Sequence, residues 1–212
     1  MSDGLQQVFE NPINLNKTIL TYDTETSGFR SKSKTHDDPT QAWVVQLGWI
    51  LSTEERELST GNFILFPPGN GDIHFKAQET HGISPEDARK FGHPDETLIK
   101  VFLHDVMRAD LLVCHNRSFD VDFLKDIIAR NLSVDAAIDF AELPYYCTMK
   151  TEGVMELCGL PWGKSKTRLK WPKLTELYSI LFDGETFDGA HDALADVRAT
   201  RRCYYELKRR GL

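Results

Sequence analysis

The 212-residue chain is short of several things, and each shortage removes a class of function. It has four cysteines (Cys114, Cys147, Cys158 and Cys203), none in a CxxC pair or beside clustered histidines. They read as mostly buried free thiols of a reducing, cytoplasmic compartment, not as a zinc site. No apolar run approaches the ~20 residues that a membrane-spanning helix requires. Met1 to Glu10 lacks the basic start and apolar stretch of a signal peptide. HExxH is missing among the seven histidines, and no GxSxG elbow is present. Gly159 and Gly163, followed by Lys164, enclose three residues where a phosphate loop needs four, and Pro161 withdraws an amide. Basic residues are not in excess either: 25 Lys and Arg against 32 Asp and Glu leave a net charge of −7. Bulk charge therefore does not coat nucleic acid, although a local site for a phosphate chain stays open.

What is present suffices for one ordinary domain: 41% hydrophobic residues over this length bury a core without disulfides. We expect an N-terminal extension over residues 1–17 and a single domain over 18–212. Thr18–Tyr22 is short and β-rich and runs into the polar Asp23-Thr-Glu-Thr26. Arg30–Gln41 is polar, holds a proline and predicts a mobile loop. Trp43–Leu51 and Asn62–Phe66 predict strands, with a hairpin connection over Thr53–Ser59. Ser84-Pro85-Glu86-Asp87 carries the spacing of a capping box with proline at the first helical position. Helices are predicted over Asp95–Met107, after the brief apolar strand Leu111–Cys114, over Met149–Leu157, over Lys173–Phe182 and over Asp192–Leu207. Strands first, then strand and helix in alternation, give an α/β domain with a mixed sheet.

Asp23 and Glu25 lie two apart at a strand end, so period 2 puts both carboxylates on one face. Two like charges so close call for a cation between them. Asp120 opens a helix just after a strand, where sites form in α/β sheets, and Asn116 and Phe119 precede it. In His191-x-x-x-x-Asp196, helical geometry turns the two side chains about 140° apart. Gly189 permits a loop, so His191 is expected just ahead of the helix and Asp196 in its second turn, facing the same rim. Taken singly, each residue has an ordinary explanation as a cap, a dipole partner or a surface group.

Taken in order, Asp23-x-Glu25-Thr26, His115-Asn116-x-x-Phe119-Asp120 and His191-x-x-x-x-Asp196 resemble the motifs of the DEDD superfamily of 3′-to-5′ exonucleases. The histidine marks its DnaQ-like branch, which takes in polymerase III epsilon proofreading subunits and RNase T type enzymes. His81-Gly82-Ile83-Ser84 lies where such proteins often carry a similar tetrapeptide. The resemblance spans about residues 18–207. It implies an RNase H-like fold, a central mixed sheet flanked by helices, and phosphodiester hydrolysis with two Mg²⁺ or Mn²⁺ ions about 3.5–4 Å apart. Asp23, Glu25 and Asp196 would hold the first ion, Asp23 would bridge to the second, and Asp120 would act on the second through water. His191 would be the general base, suited to that role by an imidazole that ordinarily titrates near pH ~6.5. Tyr204 and Tyr205 lie too far past Asp196 to supply the tyrosine of the sister branch.

The implied partner is the 3′ end of a nucleic acid, single-stranded, with DNA favoured over RNA. Thr26, His81, Asn116 and Phe119 are the expected substrate contacts, Phe119 by stacking. Lys164, Lys166, Arg168 and Lys170, edged by Trp162 and Trp171, suit either a strand path or an ordinary solvated loop. A short-oligonucleotide hydrolase and a non-turning-over binding or polymerase-associated module are the competing functions. Association with a polymerase or with a second copy is left open, and the stretch after the last helix offers no obvious docking tail.

Overall fold

The computed structural model describes residues 17–164 and 167–212. The expected N-terminal extension, apart from Lys17, and Ser165 and Lys166 lie outside the described residues. Five strands form one sheet: β1 (Ile19–Thr26), β2 (Val44–Ser52), β3 (Glu57–Ile64), β4 (Leu111–Cys114) and β5 (Tyr145–Cys147). The order is β3-β2-β1-β4-β5, with β2 antiparallel to both β1 and β3, and β4 and β5 parallel to β1. The sheet is therefore mixed, as expected.

Alternation along the two central strands divides the core between the faces. Leu20 and Tyr22 of β1 with Val45, Leu47, Trp49 and Leu51 of β2 pack into the main cluster. That cluster is closed by α3 (Asp95–Val106), α4 (Arg117–Asn131) and α5 (Val134–Glu142). Trp49 anchors α3 by donating its indole N–H to Asp105 at 2.9 Å. The opposite face carries α8 (Ala193–Arg209), which also packs on α7 (Leu174–Leu181) and α6 (Val154–Cys158) through Val154, Leu177, Cys203 and Leu207. Among the described residues no helix is long and apolar enough to cross a membrane. All four cysteines are free thiols, three of them buried.

Most expected elements are present, and the exceptions have local causes. The capping box forms as predicted at Ser84, ahead of α2 (Pro85–Phe91). β3 begins at Glu57, inside the stretch expected to connect the hairpin, because its polar residues lie on an edge strand open to solvent. The helix expected over Met149–Leu157 is confined to Val154–Cys158 and begins behind Gly153 in the left-handed region. Three elements were not anticipated: α1 (Phe75–His81), which buries none of its residues, α5, and the three-residue β5. The polar segment Arg30–Gln41 is irregular but tethered. Arg30 makes a two-armed ion pair with Asp126 of α4 at 2.6 and 2.9 Å, and Gln41 exchanges hydrogen bonds with the backbone of Ser31.

Candidate active site

The carboxyl end of β1 brings Asp23 and Glu25 to the face that α8 covers. Asp120, in the first turn of α4, reaches the same rim and is only 2% exposed. Its Oδ1 accepts from both the backbone N–H (3.1 Å) and the hydroxyl (2.7 Å) of Thr24. Asp196 lies at the end of the first turn of α8, slightly earlier than expected, and His191 precedes the helix in a left-handed conformation with φ 72°. The His191 backbone N–H donates to Asp196 Oδ2 at 3.2 Å, so the two belong to one turn. Ligand atoms of Glu25, His191 and Asp196 lie within 4.8 Å of one another.

The electrostatics report the same convergence. Burial, then the neighbouring charges of Asp120, Asp196 and Glu25, push the Asp23 carboxyl well above its usual range. Burial and the charges of Asp196 and Asp120 raise Glu25 to about 8. Asp120 is pushed up to about 7 by burial, against the two Thr24 hydrogen bonds that favour its charged form. Burial raises Asp196 to about 6, against the His191 N–H. Four carboxylates that resist ionising together are an oxygen-rich donor set short of positive charge, and the hard divalent ions Mg²⁺ and Mn²⁺ fit such a set. A fifth acid, Asp192, is committed elsewhere: its Oδ1 caps α8 by accepting from Leu194 N–H and Ala195 N–H.

Beside the acids opens a cavity of about 790 Å³, bounded by the end of β1, the Phe29–Ala42 segment, α1 and Phe119. Three of the four expected substrate contacts line it: Thr26, His81 and Phe119. The Thr26 hydroxyl donates to the Gly28 carbonyl at 3.0 Å. His81 closes α1 and has two roles. Its Nδ1 accepts from Ile83 N–H at 3.0 Å, shaping the turn toward the Ser84 cap, while its ring is pushed below the usual imidazole range chiefly by burial. Phe119 is half core, packed on Phe123 with centroids 5.2 Å apart, and half cavity wall.

Asn116 is not part of this cavity lining. It precedes α4 with φ 66° and accepts from the Ser118 hydroxyl at 3.3 Å. The neighbouring His115 is structural, bonded through Nδ1 to Thr148 (2.9 Å) and through Nε2 to the Pro172 carbonyl (3.2 Å).

The structure adds Phe29, which is 91% exposed and meets the Phe119 ring edge-on with centroids 6.4 Å apart. An aromatic in an otherwise polar segment just past Thr26 was the available signal. Several members of the basic runs have partners within the chain. Lys170 pairs with Glu176 at 2.5 Å and Arg168 lies over Trp162 at 4.9 Å. In α8 and the residues after it, Arg201, Arg202, Arg209 and Arg210 all bond within the chain.

A comparison with curated proteins gives no significant match. Among solved structures, the zinc-bound form of Escherichia coli exonuclease I with single-stranded DNA superposes with a TM-score of 0.66 at 20% identity. That match covers 92% of this chain and 41% of the other. The same enzyme with a dT13 oligonucleotide gives 0.66 at 21%, over 90% and 40% of the two chains. With dA16 the values are 0.66 and 20%, over 91% and 41%. The chain thus spans about two fifths of these relatives, and the likeness shows the fold, the helix-flanked mixed sheet of RNase H type. A family model described as an exonuclease, of RNase T type, matches residues 20–204. Since that match extends from β1 into α8, taking in all three acidic segments, the chain belongs to the RNase T family of exonucleases.

Proposed function

We propose that this domain, residues 18–212, is a 3′-to-5′ exonuclease. It hydrolyses the terminal phosphodiester of single-stranded nucleic acid, DNA by preference, and releases nucleoside 5′-monophosphates. The observation that carries the reading is the meeting of Asp23, Glu25, Asp120 and Asp196 around one rim, each carboxyl raised by burial. Asp23, Glu25 and Asp196 would hold one Mg²⁺ or Mn²⁺, and Asp23 with Asp120 a second. Bound there, the ions supply positive charge that stabilises the attacking and leaving oxygens.

The chain's own residues do the rest. His191, exposed and beside Glu25 and Asp196, takes the proton of the attacking water. The cavity beside the acids takes the terminal nucleotide, with Thr26 at its sugar and the faces of Phe119, Phe29 and His81 against its base. Stacking is tolerant of sequence, as removal of successive nucleotides requires. The preference for single-stranded DNA is supported by the likeness to exonuclease I, whose solved forms carry single-stranded oligonucleotides. Four cysteines without a disulfide support a cytoplasmic setting.

The test uses matched DNA and RNA oligonucleotides labelled at the 5′ end, with Mg²⁺ or with chelator. The expected result is a descending ladder on DNA with Mg²⁺ and none with chelator or with Asp23→Ala. Internal cuts, or cleavage that survives chelation, overturn the reading.

A further inference from the structure

Asp23 and Glu25 face β2 at two positions, and both positions are specialised. Asp23 pairs with Gly48 and Glu25 with Gln46. Paired residues of antiparallel strands point to the same face, here the one that α8 covers. At Gly48 a Cβ would stand 2.7 Å from the carbonyl carbon of Ala193 and 2.9 Å from Leu194 N. The backbone of the first turn of α8 therefore touches the sheet directly opposite Asp23.

Gln46 holds that turn in place. It is buried, and its amide is fully engaged: Oε1 accepts from Ala193 N–H at 3.1 Å, and Nε2 donates to Asp192 Oδ2 at 2.9 Å and to Asn62 Oδ1 at 3.0 Å. The two residues it grips in the α8 segment stand directly after His191. Asp192 N–H in turn donates to the Gly189 carbonyl at 2.9 Å, closing the loop that presents the imidazole. One side chain thus joins the strand that pairs with Glu25 to the segment that carries His191 and Asp196.

We propose that Gln46, seated beside Gly48, is the positioning residue that sets His191 and Asp196 against the β1 acids. The inference deepens the exonuclease reading and rests on it for its catalytic consequence. Gln46 touches no reacting atom; it acts through Asp192 and Ala193. Groups of this kind typically change metal affinity or turnover by about 10–100-fold when lost.

The test measures Mn²⁺ binding to the metal-free full chain by loss of the free-ion EPR signal, alongside kinetics on 5′-labelled single-stranded DNA. Gln46→Met keeps length and burial but loses all three bonds. It is expected to weaken Mn²⁺ binding by about 10–100-fold and to lower kcat similarly, with KM within about twofold. Gly48→Ala, which pushes α8 off the sheet by another route, is expected to act in the same direction. Asp192→Asn keeps an oxygen for the helix cap but turns the other arm into a donor facing Nε2. Its loss and that of Gln46→Met should not multiply in full in the double variant, because both break the Gln46–Asp192 contact.

Unchanged Mn²⁺ affinity and kcat in Gln46→Met and Gly48→Ala overturn the proposal, and so do fully multiplying losses in the double variant. If circular dichroism shows Gln46→Met unfolded, Asp192→Asn and Gly48→Ala decide the matter. If the unmodified chain leaves oligonucleotides intact, the exonuclease reading fails while the Mn²⁺ comparison still judges the positioning.

Discussion

Thr24 gives both its backbone N–H and its hydroxyl to the same oxygen of Asp120, at 3.1 and 2.7 Å, across 96 residues of sequence. The residue between the two β1 acids thereby holds the acid of α4, and the other carboxyl oxygen of Asp120 is left clear of that clamp. Thr24→Val removes the hydroxyl bond and keeps the amide bond and the side-chain volume. We expect a stability loss of about 1 kcal/mol in urea unfolding and a drop in kcat of about 10–100-fold. Thr24→Ser should retain most of both. A Thr24→Val enzyme with full kcat would mean that the amide alone orients Asp120.

The crowded carboxyls predict a pH signature in the protein without metal. An unfolded carboxyl titrates near about 4, whereas Glu25 and Asp120 in the fold sit at about 8 and about 7. Between those limits the folded chain binds more protons than the unfolded one, so stability falls as pH rises. His115 works in the opposite sense at lower pH, which leaves the window from about 6.5 to about 8 cleanest for the acids. With chelator present, the melting temperature should therefore decline across that window. Divalent ion favours the ionised carboxylates, so Mg²⁺ should raise the melting temperature more at the alkaline end and flatten the slope. Equal melting temperatures across the window in chelator would show that the fold does not raise these carboxyls.

Phe29 and Phe119 form one wall of the cavity but differ in what else they do. Phe29 is 91% exposed, so Phe29→Ala should leave stability within about 0.5 kcal/mol. Its loss should weaken oligonucleotide binding by about 1–3 kcal/mol, the usual worth of stacking on a base. Phe119 also packs on Phe123, so Phe119→Ala should cost about 2 kcal/mol of stability in addition to binding. Fluorescence anisotropy with a labelled single strand in Ca²⁺, paired with urea unfolding, separates the two effects. Unaltered binding by Phe29→Ala would remove that ring from the substrate path.

The site was more readable in the sequence than the elements that frame it. Strand period puts Asp23 and Glu25 on one face, but helix pitch alone turns His191 and Asp196 apart, and the set became legible only through its ordered resemblance to a family. Gln46 and Gly48 carry no such mark. Their role depends on which strand lies beside β1 and in what register, and register is a property of pairing rather than of a local run. α1 escaped notice because it buries no side chain and so shows no apolar periodicity. β5 is three residues long, too short for alternation to register. Arg30–Gln41 is irregular, as its polarity predicted, and polar residues also make its tethers. Arg30 finds Asp126 only once α4 is folded against the loop.

His115 belongs to the second motif by position, but its contacts make it a fastener. It joins the end of β4 to Thr148 and to the Pro172 carbonyl, and burial pushes its imidazole down to about 4, so it is neutral at physiological pH. Unfolded, it titrates near about 6.5, so between those values the unfolded chain takes up the proton that the fold refuses. Stability attributable to this group is thus present above about 6.5 and is lost as pH falls toward about 4. His115→Gln should cost about 1–3 kcal/mol at neutral pH through lost hydrogen bonds. It should also weaken the decline of the urea midpoint on acidification, because the titrating group is gone. Turnover at neutral pH should stay within a few-fold of the unmodified chain, since neither ring nitrogen is free to meet substrate. A collapse of kcat with the urea midpoint unmoved would assign His115 to the chemistry instead.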